Sequence, residues 1–143
     1  MAPPPGDLSL LLTRAERLMA RRVRTVLDEL GHSPDAWRVL STLSDGAGHT
    51  MTELADRAFL PPATLTKLVD HLVDDNLVYR RIDPIDRRRI RAYLTARGRA
   101  THDRIDSAVR AAWSDLGTSD DALLAALLTR LVDALSGAAH LRV

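Results

Sequence analysis

Around residues 75–95 of this 143-residue chain, the apolar pattern changes period from helical three- and four-residue steps to strict alternation, and then changes back. From Leu77 to Ile82 the residues Val78, Arg80 and Ile82 share one side, and from Arg89 to Leu94 the residues Ile90, Ala92 and Leu94 do. Asp83-Pro84-Ile85-Asp86 lies between the two runs as a turn. The pattern predicts a β-hairpin with a strongly basic tip inside an otherwise helical chain.

The helices on either side carry their own start and stop signals. Met1 to Gly6 is Pro-rich and uncharged, and reads as a short disordered leader. Asp7 is positioned to cap a helix with a stripe of Leu8, Leu11, Leu12, Ala15, Leu18, Met19, Val23, Val26, Leu27 and Leu30, which Gly31 would end. At 1.5 Å per residue that helix is roughly 35 Å long, enough to reach past one small core. Ser33-Pro34-Asp35 starts a second helix, with Trp37, Leu40 and Leu43 as its apolar face and Asp45-Gly46 closing it. Thr50 and Glu53 form a capping box for a short helix ending near Ala58. Phe59-Leu60-Pro61-Pro62 is a turn, because proline cannot continue a helix interior. The next helix, from about Pro62 to Asp75, buries Leu65, Leu68, Val69, Leu72 and Val73, and leaves open Ala63, Thr64, Thr66, Lys67, Asp70, His71 and Asp74. After the hairpin, Thr95 caps a long helix to about Leu116, and Thr118 to Asp121 starts a last one rich in leucine.

Composition narrows the class of function. With no cysteine there are no disulfides, thiolate metal sites or thiol redox switches. No apolar run approaches the roughly 20 residues of a membrane helix, and the start lacks a signal-peptide pattern, so a cytoplasmic protein is expected. The net charge of +1 hides an asymmetry: Tyr79 to Arg104 holds nine arginines against three aspartates, leaving 11 basic and 16 acidic residues elsewhere. Such a block is the footprint of polyanion binding or, alternatively, a solvated charged face.

Joined to the helix pair before it, the basic hairpin favours the polyanion. Short helix, turn, helix and hairpin make a helix-turn-helix with a β-wing, in a mainly α (α+β) chain. A major groove ~12 Å wide admits one α-helix, which needs short polar residues at its exposed N-terminal end. Pro62, Ala63, Thr64, Thr66, Lys67 and His71 are the candidates there. Arginine at a narrow hairpin tip suits the minor groove. Arg87, Arg88 and Arg89 are placed there, with Arg80 and Arg81 adding charge toward the DNA backbone. The expected winged helix-turn-helix spans about 33–95, with dimerisation helices about 7–31 and 96–140, all within one unit, 7–143. The first and last helices carry more apolar surface than one small domain covers, so Leu8, Leu11, Leu12, Leu127, Leu131 and Leu135 are assigned to a two-fold interface. A twin copy would set the two recognition helices about one DNA turn apart, ~34–36 Å, matching a palindromic operator.

The stretch Asp83-Pro84-Ile85-Asp86-Arg87-Arg88-Arg89-Ile90-Arg91-Ala92-Tyr93-Leu94-Thr95 resembles the wing signature of the MarR (multiple antibiotic resistance regulator) family. Thr64 to Leu72 resembles that family's recognition helix, and Ser33 to Leu40 its second helix; the resemblance covers about residues 8–140. It implies a homodimeric winged-helix repressor of double-stranded DNA, with Arg88 as the minor-groove arginine and Asp86 fixing local side chains by ion pairing. The chain departs from the family pattern at Pro61, where members usually place a serine cap. The family also implies a small aromatic acid as effector, held between the dimer helices and the winged-helix lobe. Arg14 is the candidate for its carboxylate, with His32, Trp37 and Trp113 as walls. Each has a plainer reading: Arg14 in a surface or dimer ion pair, His32 in a solvated loop, Trp37 in the core, Trp113 in dimer packing.

An enzyme is not expected. The five histidines, 32, 49, 71, 102 and 140, form no metal-spaced cluster, and there is no phosphate loop or nucleophile elbow. No cofactor or metal is assigned, although scattered His and Asp leave zinc sensing as a minor reading. The alternative from another class is a winged-helix module that uses its wing on protein partners.

Overall fold

The computed structural model describes residues 4–114 and 119–140. Its contacts divide the chain into two units, Met1–Ala112 and Trp113–Val143.

The first unit opens with α1, Pro5–Leu30. It begins before Asp7: Pro4 is the N-cap, Pro5 supplies a preset φ, and the Asp7 N–H donates to the Pro4 carbonyl at 2.9 Å. The expected leader therefore shrinks: Gly6 is helical, and Met1 to Pro3 lie outside the described residues. Gly31 ends α1 in the left-handed region, φ 76°, with its N–H returned to Asp28. Of the long apolar stripe, α1 buries only Val23 and Leu27, with Met19 packed partly against the core.

Helix α2, Pro34–Leu43, is capped as the Ser-Pro-Asp signal requires, Ser33 Oγ accepting the Ala36 N–H at 3.0 Å. Strand β1 is only His49–Thr50. Helix α3, Met51–Ala58, takes its N-cap from Thr50 Oγ1, which accepts the Glu53 N–H at 3.2 Å. Helix α4, Pro62–Asp74, is capped by Pro61 without a side-chain hydrogen bond. Strands β2, Val78–Ile82, and β3, Ile90–Leu94, form the hairpin. Helix α5, Ala96–Ser114, starts where Thr95 Oγ1 accepts the Gly98 N–H at 2.9 Å. Leu116 and Thr118, the expected end of this helix and start of the next, lie outside the described residues.

The hairpin sits in a three-stranded antiparallel sheet of order β1-β3-β2, one strand more than the alternation predicts. β1 pairs His49 with Ala92 and Thr50 with Arg91. Two residues are too few to show a period, so no sequence pattern announces it. In the hairpin, Val78, Arg80 and Ile82 lie opposite Leu94, Ala92 and Ile90. Only Val78 and Ala92 are fully buried, whereas Ile82 and Ile90 are exposed. The alternation is real, but the core lies beneath the root of the hairpin and ends before its tip.

Leu40, Leu43, Leu54, Leu65, Val69 and Leu72 from α2, α3 and α4 meet Leu27, Val78 and Ile105 in one cluster. Gly98 closes it: a Cβ there would lie 1.9 Å from the Leu77 carbonyl oxygen, so only glycine lets α5 approach the backbone just before β2 this closely. Helix α6, Asp121–His140, makes up most of the described second unit.

Candidate nucleic-acid interface

Helix α4 divides cleanly. Leu65, Val69 and Leu72 are buried, while Pro62, Ala63, Thr64, Thr66, Lys67, Asp70, His71 and Asp74 are all exposed. Thr66 Oγ1 donates back to the Pro62 carbonyl at 2.9 Å and keeps its lone pairs outward. With proline at the N-cap, no hydroxyl is offered there to a phosphate.

The wing is organised by two aspartates. Asp83 is buried, and its Oδ1 accepts the N–H groups of Ile85 (2.8 Å) and Asp86 (3.2 Å). Its Oδ2 accepts from Arg91 Nε at 2.8 Å. Arg91 also donates to the Gly48 carbonyl at 3.1 Å, so one guanidinium joins the wing to the loop before β1. The Arg91 hydrogen bond, followed by the two backbone donors, holds the Asp83 carboxyl below its usual pKa. Asp86 fixes the tip: its Oδ1 accepts both the Arg88 N–H and Arg88 Nε at 3.1 Å, and Arg89 approaches at 3.6 Å. Its carboxyl is likewise held down, chiefly by the Arg88 side chain. The result is a rigid turn that holds Arg88 91% exposed, with Arg87 and Arg89 also in solvent.

Arg80 and Arg81 differ. Arg81 is exposed, 5.9 Å from the centroid of the Tyr79 ring, which stacks on Tyr93 at 5.3 Å. Arg80 reaches from β2 to α4 and pairs with Asp70. Asp70, Asp83 and Arg91 were absent from the sequence-derived site. Asp83-Pro84 did carry a local turn signal, but the partners of Asp70 and Arg91 depend on strand register.

Beneath the wing, His49 is buried between two carboxylates, Asp45 Oδ2 at 2.7 Å and Glu53 Oε2 at 2.9 Å. Burial pushes the Glu53 carboxyl up, but hydrogen bonds from His49 and the Thr50 backbone outweigh it and leave it lowered. The Asp45 carboxyl is lowered first by the Ala47 N–H and then by His49. Among the described residues, no group of three or more His, Asp or Glu is arranged to hold a metal ion, and no helix is long and apolar enough to cross a membrane.

The proposed effector residues are more scattered. Arg14 is exposed on α1 and His32 is half-buried after Gly31. Trp37 packs partly against the core, and its Nε1 is shielded without an acceptor among the described residues. Trp113 begins the second unit. A cavity of about 430 Å³ between α3 and α4 is lined by Met51, Ala55, Phe59 and Thr66, among others, and by none of these four.

A MarR-family sequence model matches residues 23–89. The HTH-type transcriptional repressor Rv2887 of Mycobacterium tuberculosis (strain H37Rv) is 33% identical over 107 residues, 75% of this chain and 77% of that protein. The chain belongs to the MarR family. Among solved structures, the Mycobacterium tuberculosis MarR family protein Rv2887 in complex with p-aminosalicylic acid superposes with a TM-score of 0.70 at 29% identity, over 94% of this chain and 99% of that one. A mutant E. coli MarR complexed with operator DNA gives a TM-score of 0.71 at 25% identity, over 87% and 93%. The chain is thus a winged-helix, DNA-binding transcriptional regulator of the MarR family and not an enzyme.

Proposed function

We propose that this MarR-family regulator is a homodimeric repressor that reads a palindromic operator and releases it on binding a small aromatic acid. The observation that carries the DNA-reading part is the pairing of two exposed elements in one unit: the polar face of α4 and the wing tip held open by Asp86. Thr64, Thr66, Lys67 and His71 face the major groove, and Arg88 enters the minor groove between Arg87 and Arg89. Phosphate contacts from Arg81 and the wing set affinity and its salt dependence; the α4 face sets sequence preference.

Dimerisation is supported by apolar surface that the single chain leaves uncovered. Leu8 and Leu11 of α1, and Leu127 and Leu135 of α6, are at least half exposed, with Leu12 and Leu131 half-buried. A two-fold copy would bury both stripes. For the effector, the relative solved with p-aminosalicylic acid supports an aromatic acid. The shielded Trp37 N–H supports an oxygen acceptor beside α2, and Arg14 supplies a carboxylate partner. Burial and the neighbouring Arg104 hold His32 below its ordinary pKa, so it would face a ligand as a neutral imidazole.

The test is a gel shift with the DNA upstream of the protein's own gene at two salt concentrations, repeated with Arg88→Ala and with a panel of aromatic acids. The wild type should bind as a dimer and lose the operator to at least one acid. Arg88→Ala should cost about 1–3 kcal/mol of operator affinity, the worth of one well-placed groove contact. Unchanged affinity in Arg88→Ala, or release by none of the acids, would overturn the corresponding half of the proposal.

A further inference from the structure

Asp70 presents a difficulty for any DNA-reading α4. It lies on the open stripe, one turn beyond Thr66 and Lys67, with its side chain 55% exposed. A lone carboxylate on a face that enters a groove walled by phosphates is repelled by them. The structure answers this with Arg80, which crosses from β2 and pairs with that carboxylate. Arg80 stands opposite Ala92 in the hairpin register, and Ala92 is fully buried, so the strand position that delivers the guanidinium is fixed by the core.

We infer that Asp70 and Arg80 form a specificity-positioning latch between the recognition helix and the wing. The inference rests on the reading of α4 as the groove-reading element. An exposed ion pair contributes little to stability, so its value is sought in binding. The latch does two things. It neutralises Asp70 so that α4 can approach the base edges. It also holds Arg80 off the phosphate backbone, where a mobile guanidinium would add affinity for any sequence. Arg80 is then a positioning residue and not the backbone contact that its place in the arginine block suggests. The latch lowers affinity for random DNA and, because it ties β2 to α4, fixes the spacing between wing and helix on the operator.

Three variants of the full-length protein test this: Asp70→Asn, Arg80→Gln and the double variant. Each is titrated against an operator duplex and a random duplex over a salt series, with thermal melts as a folding check. Asp70→Asn should free Arg80: affinity for the random duplex should rise several-fold, and the slope of log affinity against log salt should steepen by about one. Arg80→Gln leaves Asp70 uncompensated, so operator affinity should fall tenfold or more with the salt slope unchanged. The double variant should return operator affinity to within about threefold of wild type, because neither charge is left alone. If Arg80→Gln flattens the salt slope by about one while Asp70→Asn has no effect, Arg80 is a phosphate contact and the latch is rejected. Losses that simply add in the double variant reject it as well. A Thr64→Ala, Thr66→Ala double variant, measured alongside, separates the two levels. If it changes operator preference while the Asp70 variants are silent, the latch fails and the α4 reading stands. If it leaves both operator affinity and sequence preference unchanged, the α4 reading falls and takes the latch with it.

Discussion

Leucine has a different role in α4 than in α6. In α4, Leu65 and Leu72 are buried with Val69 on the side toward α3 and β2, and every position on the opposite side is polar, small or charged. In α6, Leu123, Leu124, Leu127, Leu128, Val132 and Leu135 are all exposed, and Leu131 is half-buried. Both are regular helices of 13 and 20 residues. The helical fold therefore does not decide whether apolar surface is covered; neighbouring elements do. In α4 the covering surface comes from the same chain. For α6 a second copy is the proposed source.

The contrast can be broken most forcefully in the core. Leu54→Ala removes a fully buried side chain from α3 and should cost about 2–5 kcal/mol in denaturant unfolding, as large-to-small core changes do. A loss below 1 kcal/mol would mean the α2–α4 core is looser than its burial indicates. Gly98→Ala comes next. Alanine gains about 1 kcal/mol of helix propensity over glycine, but the clash with the Leu77 carbonyl forces backbone movement, so a net loss of about 1–3 kcal/mol is expected. Stabilisation by this change would refute the close approach. Leu127→Ala should change the unfolding free energy of dilute protein by no more than about 0.5 kcal/mol, as for a surface site. The same variant should weaken self-association in sedimentation; a dimer indifferent to it would remove α6 from the interface.

The smallest effect is set by pH. His32 is held below 6.5, so below that pH the unfolded chain takes up its proton first and stability falls gently as pH drops. Asp45, Glu53, Asp83 and Asp86 are all lowered in the folded state, so their contribution is present above about pH 4 and is lost as pH falls through their folded values. A plot of unfolding midpoint against pH should show both slopes, and His32→Gln should remove only the upper one. A midpoint that is flat from pH 7 to 3 would contradict both assignments.

Much of this was legible along the chain. The open and buried faces of α4 follow from its 3.6 period, and Ser33 and Thr50 cap the helices that their spacing announces. Less of the wing was readable. Ile82 and Ile90 alternate as core residues do but stand in solvent, because alternation reports the pleat and not the extent of what lies beneath it. Asp7 signals a later start for α1 than the one observed, because Pro4 and Pro5 read as leader although they are the cap and first residue of the helix.

The sequence by itself determined the helix-turn-helix, the hairpin and the excess of arginine, because period, caps and charge are properties of neighbouring residues. Only the tertiary structure decided how each arginine is used: Arg88 is held out in solvent, Arg91 is drawn onto buried Asp83, and Arg80 is claimed by Asp70. Identical side chains within one block acquire these separate fates because an ion pair depends on which carboxylate lies within a few ångströms. Strand register and helix packing set that distance.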